Sequence, residues 1–306
     1  MKRLLIGATV GAALLTAGGC AGEQVRALEP KLELREAAQH LSEAQQAGFT
    51  VKLAGTDDLI AALKAKGEDS EGVAQVANSS ITIAYDKAGA GAEDDRSSIT
   101  ATIDGVGGTE IRTVDGLLYA KAPVDELAAK FGGTKDVTSQ RKETPELAPL
   151  FDGQWVSVDP QEAAALSGAF TGVPAEDPDA AKTLAEVRKS ATNLLEGAQI
   201  TRDGADEEHL IVTSSTGEAY AELQRLLKTV SPAAGSELAK ERAPQDKPVV
   251  IDLWVHDGKF TAAEVDILQF VEGATGRSAV RVEVTTGATI TAPEDAHKID
   301  LDKLGE

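Results

Sequence analysis

Cysteine is almost missing from this chain: one in 306 residues. That count leaves no partner for an intrachain disulfide and no set of thiolates for a zinc or iron–sulfur site. Methionine also occurs once, aromatics make up 4%, and there are four histidines. Such a chain has little with which to ligate or stack on a haem or flavin. Positive charge is in short supply as well, with Lys+Arg 30 against Asp+Glu 50 and a formal charge of −20. A nucleic-acid binder needs a basic stripe facing the phosphates, and this balance repels them. Catalytic signatures are missing too. There is no G-x-S-x-G elbow, no Walker or dinucleotide glycine pattern and no H-x-x-x-H pair. Gly105, Gly107 and Gly108 are spaced for a turn, not a phosphate cradle. The reading is therefore no catalytic residue, no metal ligand and no cofactor. What is present is 42% hydrophobic residues, enough for a substantial core and against disorder over the whole length.

The one cysteine, Cys20, is informative through its position. Lys2 and Arg3 form a short basic start, residues 4–15 are mostly apolar, and Thr16-Ala17-Gly18-Gly19 leads into Cys20. The apolar run is too short to span a bilayer, so the plan is that of a signal peptide. Small residues ending in Cys resemble a bacterial lipobox, although Ala17 stands where Leu is commonest and Leu15 lies two residues earlier. The alternative is an ordinary secretory signal with a chance cysteine. Lipidation of Cys20 with two or three acyl chains gives stable anchoring. Cleavage before it removes Lys2 and Arg3 and takes the formal charge from −20 to −22. The expected organisation is signal peptide 1–19, lipidated tether 20–30, one domain over 31–295 and a polar tail over 296–306. The expected location is the extracytoplasmic face of the cell membrane, held by the lipid anchor.

Periodicity along the rest alternates between strands and helices. A helix is expected after Pro30, carried by Leu34, Ala37, Ala38 and Leu41, then a strand over 49–54 and a helix begun by Asp57-Asp58 and ended by Gly67. Strands follow around Ile81 and Ile83, around Ile99 and Ile103, and on either side of Asp115-Gly116, with a turn expected at Gly107-Gly108. Residues 134–149 read as a polar crossover, 151–158 as a strand, 160–170 as a helix and 171–179 as a linker. A helix over 180–196 and strands flanking Asp203-Gly204 open the second half. Residues 231–247 read as a polar stretch after one more helix. Three long strands close the chain: one with Ile251 and Leu253, one over 261–270 with Val265 and Ile267, and one with Val282. The total is about eleven strands and five or six helices. Tight hairpins make the sheet antiparallel, and the clustering of helices excludes a doubly wound parallel sheet. The fold class is α+β: a large curved antiparallel half-barrel with helices packed on its concave face.

Several phrases resemble one group. The lipobox, Val114-Asp115-Gly116-Leu117-Leu118-Tyr119, the Leu253–Phe260 turn and the ending Ile290-Thr291-Ala292-Pro293 are similar to the actinobacterial LppX/LprG/LprA/LprF lipoproteins, whose wider fold group includes LolA and LolB. The Ala-, Gly-, Asp- and Glu-rich usage points to the same high-GC source. The resemblance implies a non-enzymatic half-barrel that holds acyl chains between sheet and helices. On that basis Ile81, Ile83, Ile99, Ile103, Leu118, Ile251, Leu253, Val265, Ile267 and Val282 are candidates to line a lipid slot. For any one of these residues the plainer reading is an ordinary core between sheet and helices. A lipid ligand and an envelope protein are the candidate partners, the second because some relatives sense envelope stress through a protein partner. Glu264 and Asp266 read as a solvated outer face, and Trp155 and Trp254 as core anchors.

Overall fold

The computed structural model describes residues 21–67, 70–87, 89, 94–159, 180–240, 243, 245–287 and 289–299. Cys20, the helix expected over 160–170 and the linker expected over 171–179 lie outside the described residues.

Twelve strands form one sheet: β1 (Gln46–Ala54), β2 (Ser80–Lys87), β3 (Asp95–Ile103), β4 (Val106–Val114), β5 (Leu117–Lys121), β6 (Val156–Val158), β7 (Gln199–Arg202), β8 (His209–Ser215), β9 (Pro248–His256), β10 (Lys259–Asp266), β11 (Ala279–Thr286) and β12 (His297–Lys298). Their spatial order is β12-β6-β5-β4-β3-β2-β1-β11-β10-β9-β8-β7. Every pairing is antiparallel except the short β12–β6 contact. The α+β reading and the antiparallel sheet expected from the hairpins are thus the architecture found. The sheet closes in the middle by pairing β1 with β11, which joins a meander from the first half to one from the second.

Three hairpins turn on an Asp-Gly pair with both residues left-handed: Asp104-Gly105 (φ 46 and 82), Asp115-Gly116 (φ 51 and 77) and Asp257-Gly258 (φ 49 and 67). Those angles suit type I′ turns, whose twist matches the strands they join. The turn expected at Gly107-Gly108 therefore falls three residues earlier, and both glycines lie inside β4.

Among the described residues there are nine α-helices: α1 (Ala21–Glu43), α2 (Thr56–Lys66), α3 (Glu71–Ala77), α4 (Val124–Phe131), α5 (Thr134–Glu143), α6 (Ala148–Phe151), α7 (Ala180–Gly197), α8 (Thr216–Val230) and α9 (Pro232–Leu238). Gly67, left-handed at φ 73, caps α2 as its sequence indicates. Several expectations are corrected. Residues 21–29 are helical and run into α1, so the helix begins earlier than the sequence pattern after Pro30 indicates. Pro30 sits inside the helix, where it removes one backbone donor, and it is buried. The polar segment 134–149 is largely helical. A helix polar on all sides needs help from its side chains, and Arg141 supplies it by pairing with Asp125 and Asp152. Phe151 ends α6, so β6 is confined to three residues. Within 231–247, Pro232 opens α9, a position where its missing N–H is harmless.

The strand expected over 261–270 stops at Asp266. The Asp266 carboxylate accepts a hydrogen bond from the Leu268 backbone N–H at 3.0 Å and starts a 3-10 turn over Ile267–Phe270. Ile267 therefore leaves the strand on which it was expected to line a slot. Among the described residues after β11, 287 and 289–296 form no strand. This segment crosses the sheet, and within the expected polar tail His297–Lys298 and the buried Ile299 dock beside β6.

The two faces of the sheet are covered at opposite ends. On one face α1 places Leu34 and Ala37 against Ile200, Leu210, Val212, Leu253 and Val255, with Leu195 of α7 alongside. On the other face Ile290 of the C-terminal segment packs on Ala84, Val114 and Tyr119, flanked by Leu117, Trp155 and Ala296. Among the described residues no helix is long and apolar enough to cross a membrane.

An open apolar face as the candidate functional site

Strand register decides which side chains share a face, because alternate residues point to opposite sides. Phe49 pairs with Ile83, Ile83 with Ile99, Ile99 with Ile111 and Ile111 with Ala120. Beside that row, Val282 pairs with Val51, Val51 with Ile81 and Ile81 with Ala101. Continuing through β11, β10 and β9, Val282 pairs with Ala263, Val265 with Ile251 and Ala263 with Leu253. Nine of the ten candidate residues, all but Ile267, thus share one face, since Leu118 pairs with Thr113 next to Ile111 and Ile103 follows Ile99 in β3.

The cover on this face is uneven. Leu253 under α1 is 9% exposed, whereas Ile81 is 49%, Ile83 48% and Ile99 42% exposed. Val51, Ile103 and Ile111 are also exposed. These six residues lie on the four adjacent strands β1–β4 and form one contiguous β-branched surface. A patch of this kind is unusual on a protein that stays in water. Among the described residues, α1 covers the half of this face made by β7–β10, and the β1–β4 half is left exposed.

Two clefts border the helical cover. One of about 400 Å³ lies between α1 and α7, with Leu34, Ala38, Leu195 and Ile200 in its wall. The second, about 300 Å³, lies where the end of α1 meets the open half, between His40, Leu41, Phe260 and Val284. The His40 Nδ1 is 2.7 Å from the Gly258 carbonyl oxygen, which ties the end of α1 to the β9–β10 hairpin.

The opposite face of the same strands carries charge. Arg277 donates to Asp252 and to Glu264, each at 2.6 Å, and Arg281 donates to Glu264 at 2.5 Å and Glu283 at 2.9 Å. Lys52 pairs with Glu283 at 2.9 Å. His209 sits between Asp203 and Asp252 and stacks on Trp254, with the Arg281 guanidinium 5.2 Å from that ring. Burial pushes the Glu264 carboxyl up, but the hydrogen bonds from Arg277 and Arg281 outweigh it and hold the group below its ordinary value. The hydrogen bonds to Asp252 and Glu264 raise Arg277. Glu264 is therefore a buried ion-paired group, 9% exposed, and not the solvated residue its alternation suggests. The loop carrying Arg277 is held close to the end of β1: Gly55 is left-handed, and a Cβ there would collide with the Arg277 carbonyl oxygen. Trp254 lies on this charged face instead of anchoring the core. Trp155 flanks the second core cluster, as expected, with the Arg112 guanidinium 4.7 Å over its ring.

Sequence spacing missed the His209 site because Asp252 and Trp254 come from β9, more than forty residues along the chain, although Asp203 lies in the same turn. Among the described residues, no group of three or more His, Cys, Asp and Glu could hold a metal ion. The charged residues are committed to one another, while the apolar face is uncommitted, and that contrast makes the face the candidate site.

The chain is thus an α+β protein built on an open, mostly antiparallel twelve-stranded sheet, with an exposed apolar stretch over β1–β4 on one face and an ion-paired cluster from β1 and β9–β11 on the other. No family model matches it, and no curated protein does. Among solved structures it is similar to the lipoprotein LppX of Mycobacterium tuberculosis, at 12% identity over 84% of this chain and 94% of that one, with a TM-score of 0.33. It is also similar to LprF from Mycobacterium bovis, at 13% identity over 88% of this chain and 98% of that one, with a TM-score of 0.38.

Proposed function

We propose that the chain is an extracytoplasmic lipoprotein, anchored to the membrane through Cys20, that binds the acyl chains of a lipid or another hydrophobic ligand on its open sheet face. The single observation that carries the reading is the exposed row of Ile81, Ile83 and Ile99. An acyl chain laid on such a surface gains about 0.8 kcal/mol per methylene removed from water. It needs no positioned acid or base, which fits a binding protein rather than an enzyme. The two clefts beside α1 offer several hundred Å³ of the size usual for small-molecule sites. The absence of methionine after Met1 leaves the surface to stiff β-branched side chains, which suit straight hydrocarbon better than an adaptable interface.

Native mass spectrometry and solvent extraction of the chain from Ala21 onward test this reading. A co-purifying lipid, together with binding of an environment-sensitive hydrophobic dye, is the expected result. Protein that carries no lipid and binds no dye overturns it.

A further inference from the structure

The sheet has two ends, and they differ. At one end β12 is two residues long and sits parallel on β6. At the other, β7 pairs with β8 alone. The register shows which backbone groups are spent. Asp203 N–H donates to the His209 carbonyl at 2.9 Å, so Thr201 and Gln199, two and four residues earlier, also face β8. Ile200 and Arg202 then point their N–H and C=O groups away from the sheet, and among the described residues nothing pairs with them. The Ile200 side chain is 5% exposed and locked in the core under α1, so the strand is held in one register. Gln199-Ile200-Thr201-Arg202 contains neither a proline nor a bulge, and its protection as an edge is limited to its four-residue length and the Arg202 charge.

A groove of about 1110 Å³ runs along this edge, with β7 as one wall and Glu29–Lys31 of α1 as the other. Its cations are engaged: Lys31 donates to the Glu196 carbonyl oxygen, and Arg202 pairs with Glu33 and donates to the Glu207 carbonyl oxygen. The carboxylates of Glu29 and Glu207 line the groove with no ion pair of their own among the described residues.

We infer that the free edge of β7 docks an extended, Lys- or Arg-bearing segment of a partner protein, which joins the sheet as a further strand. Backbone hydrogen bonds to Ile200 and Arg202 supply the attachment, and Glu29 and Glu207 select basic side chains. Charge complementarity favours this occupant over a second copy, because each copy carries a formal charge of −20.

The inference is independent of the lipid reading and is tested on the full chain in detergent micelles, which keep the apolar face occupied. The probes are two fluorescein-labelled ten-residue peptides, one alternating Lys and Thr, the other alternating Glu and Thr. The Lys peptide is expected to bind and to slow amide exchange over β7, whereas the Glu peptide does not bind. Arg202→Pro removes an outward N–H and leaves the β8 ladder intact but also loses the Glu33 pair, so tenfold weaker binding is expected relative to Arg202→Ala, which loses that pair and keeps the N–H. The double variant Glu29→Gln, Glu207→Gln leaves the backbone unchanged and should weaken binding about threefold, with a smaller salt dependence. No binding of the Lys peptide, equal binding of both peptides, or binding that leaves β7 exchange unaltered overturns the proposal. So does concentration-dependent dimerisation that protects the same amides without peptide.

Discussion

The His209 imidazole lies flat on the Trp254 indole, with ring centroids 4.7 Å apart and planes 7° apart. Its Nε2 is 2.9 Å from the Asp252 carboxylate and its Nδ1 is 3.1 Å from Asp203. This contact joins the β7–β8 turn to β9 on the charged side of the sheet. Asp252 is 7% exposed, so losing one of its two partners leaves a buried carboxylate oxygen unmatched. His209→Ala is expected to cost about 1–3 kcal/mol in chemical denaturation. A loss below 0.5 kcal/mol would show that Arg277 alone suffices for Asp252.

Acid should weaken the same face. The folded Glu264 carboxyl is held below its ordinary value of 4.5 because the Arg277 and Arg281 hydrogen bonds overcome the burial that pushes it up. Glu283 is lowered by Lys52 and Arg281. A group depressed on folding contributes its full stability above its unfolded value and loses that contribution as pH falls through the folded one. Unfolding free energy is therefore expected to be flat above about pH 5 with respect to these two groups and to fall below it. In Arg277→Ala that acid slope should be shallower, as urea titrations at several pH values would show.

On the apolar face, exposure and burial predict opposite outcomes for similar residues. Ile83→Glu and Ile99→Glu alter half-exposed positions and should change stability by less than about 1 kcal/mol. They should nonetheless reduce hydrophobic-dye and lipid binding several-fold. Leu253→Ala, under α1, should cost about 2–5 kcal/mol. Equal dye binding by the wild type and the Ile83→Glu, Ile99→Glu variant would place the ligand elsewhere.

The C-terminal segment works as a strap over β2–β6. Arg96 donates to the Ile290 carbonyl at 3.2 Å and Arg112 to the Thr291 carbonyl at 2.9 Å, while Ile290 itself is 5% exposed. Ile290→Ala is expected to cost about 2–4 kcal/mol. Deleting residues 289–306 should expose the cluster around Val114 and Tyr119 and lower the thermal midpoint. An unchanged midpoint would make the strap dispensable.

Anchoring has a direct assay. Cys20→Ala should move the protein from the membrane fraction to the aqueous phase in a detergent partition, with no change in the stability of the domain.

Much of this architecture is readable from spacing alone. Asp115-Gly116 and Asp257-Gly258 announce their hairpins because few residues accept two left-handed positions in a row. The alternation at Ile81, Ile83, Ile99 and Val282 assigns them to strands, and register then requires that they share a face. Other features resist the same reading. The 3-10 turn that removes Ile267 depends on Asp266 capping its own chain, a choice a continuing strand would also allow. The helices within 134–151 have almost no apolar periodicity, and contacts such as Arg141 with Asp125 and Asp152 hold them. The His209 site joins the β7–β8 turn to Asp252 and Trp254 more than forty residues away, and no local pattern encodes that proximity.

The sequence by itself determined the scarcity of thiols, the acidic charge, the signal-like start ending at Cys20 and an antiparallel α+β sheet, because these follow from composition and from short-range backbone preferences. Tertiary structure alone decided which half of the apolar face is roofed. That outcome depends on where α1 lands, since Leu34 and Ala37 bury β7–β10 and leave β1–β4 uncovered. It also decided that Glu264 is buried among arginines and that β7 ends the sheet with no further strand on its edge among the described residues, because both depend on which distant segments meet and not on what any segment prefers alone.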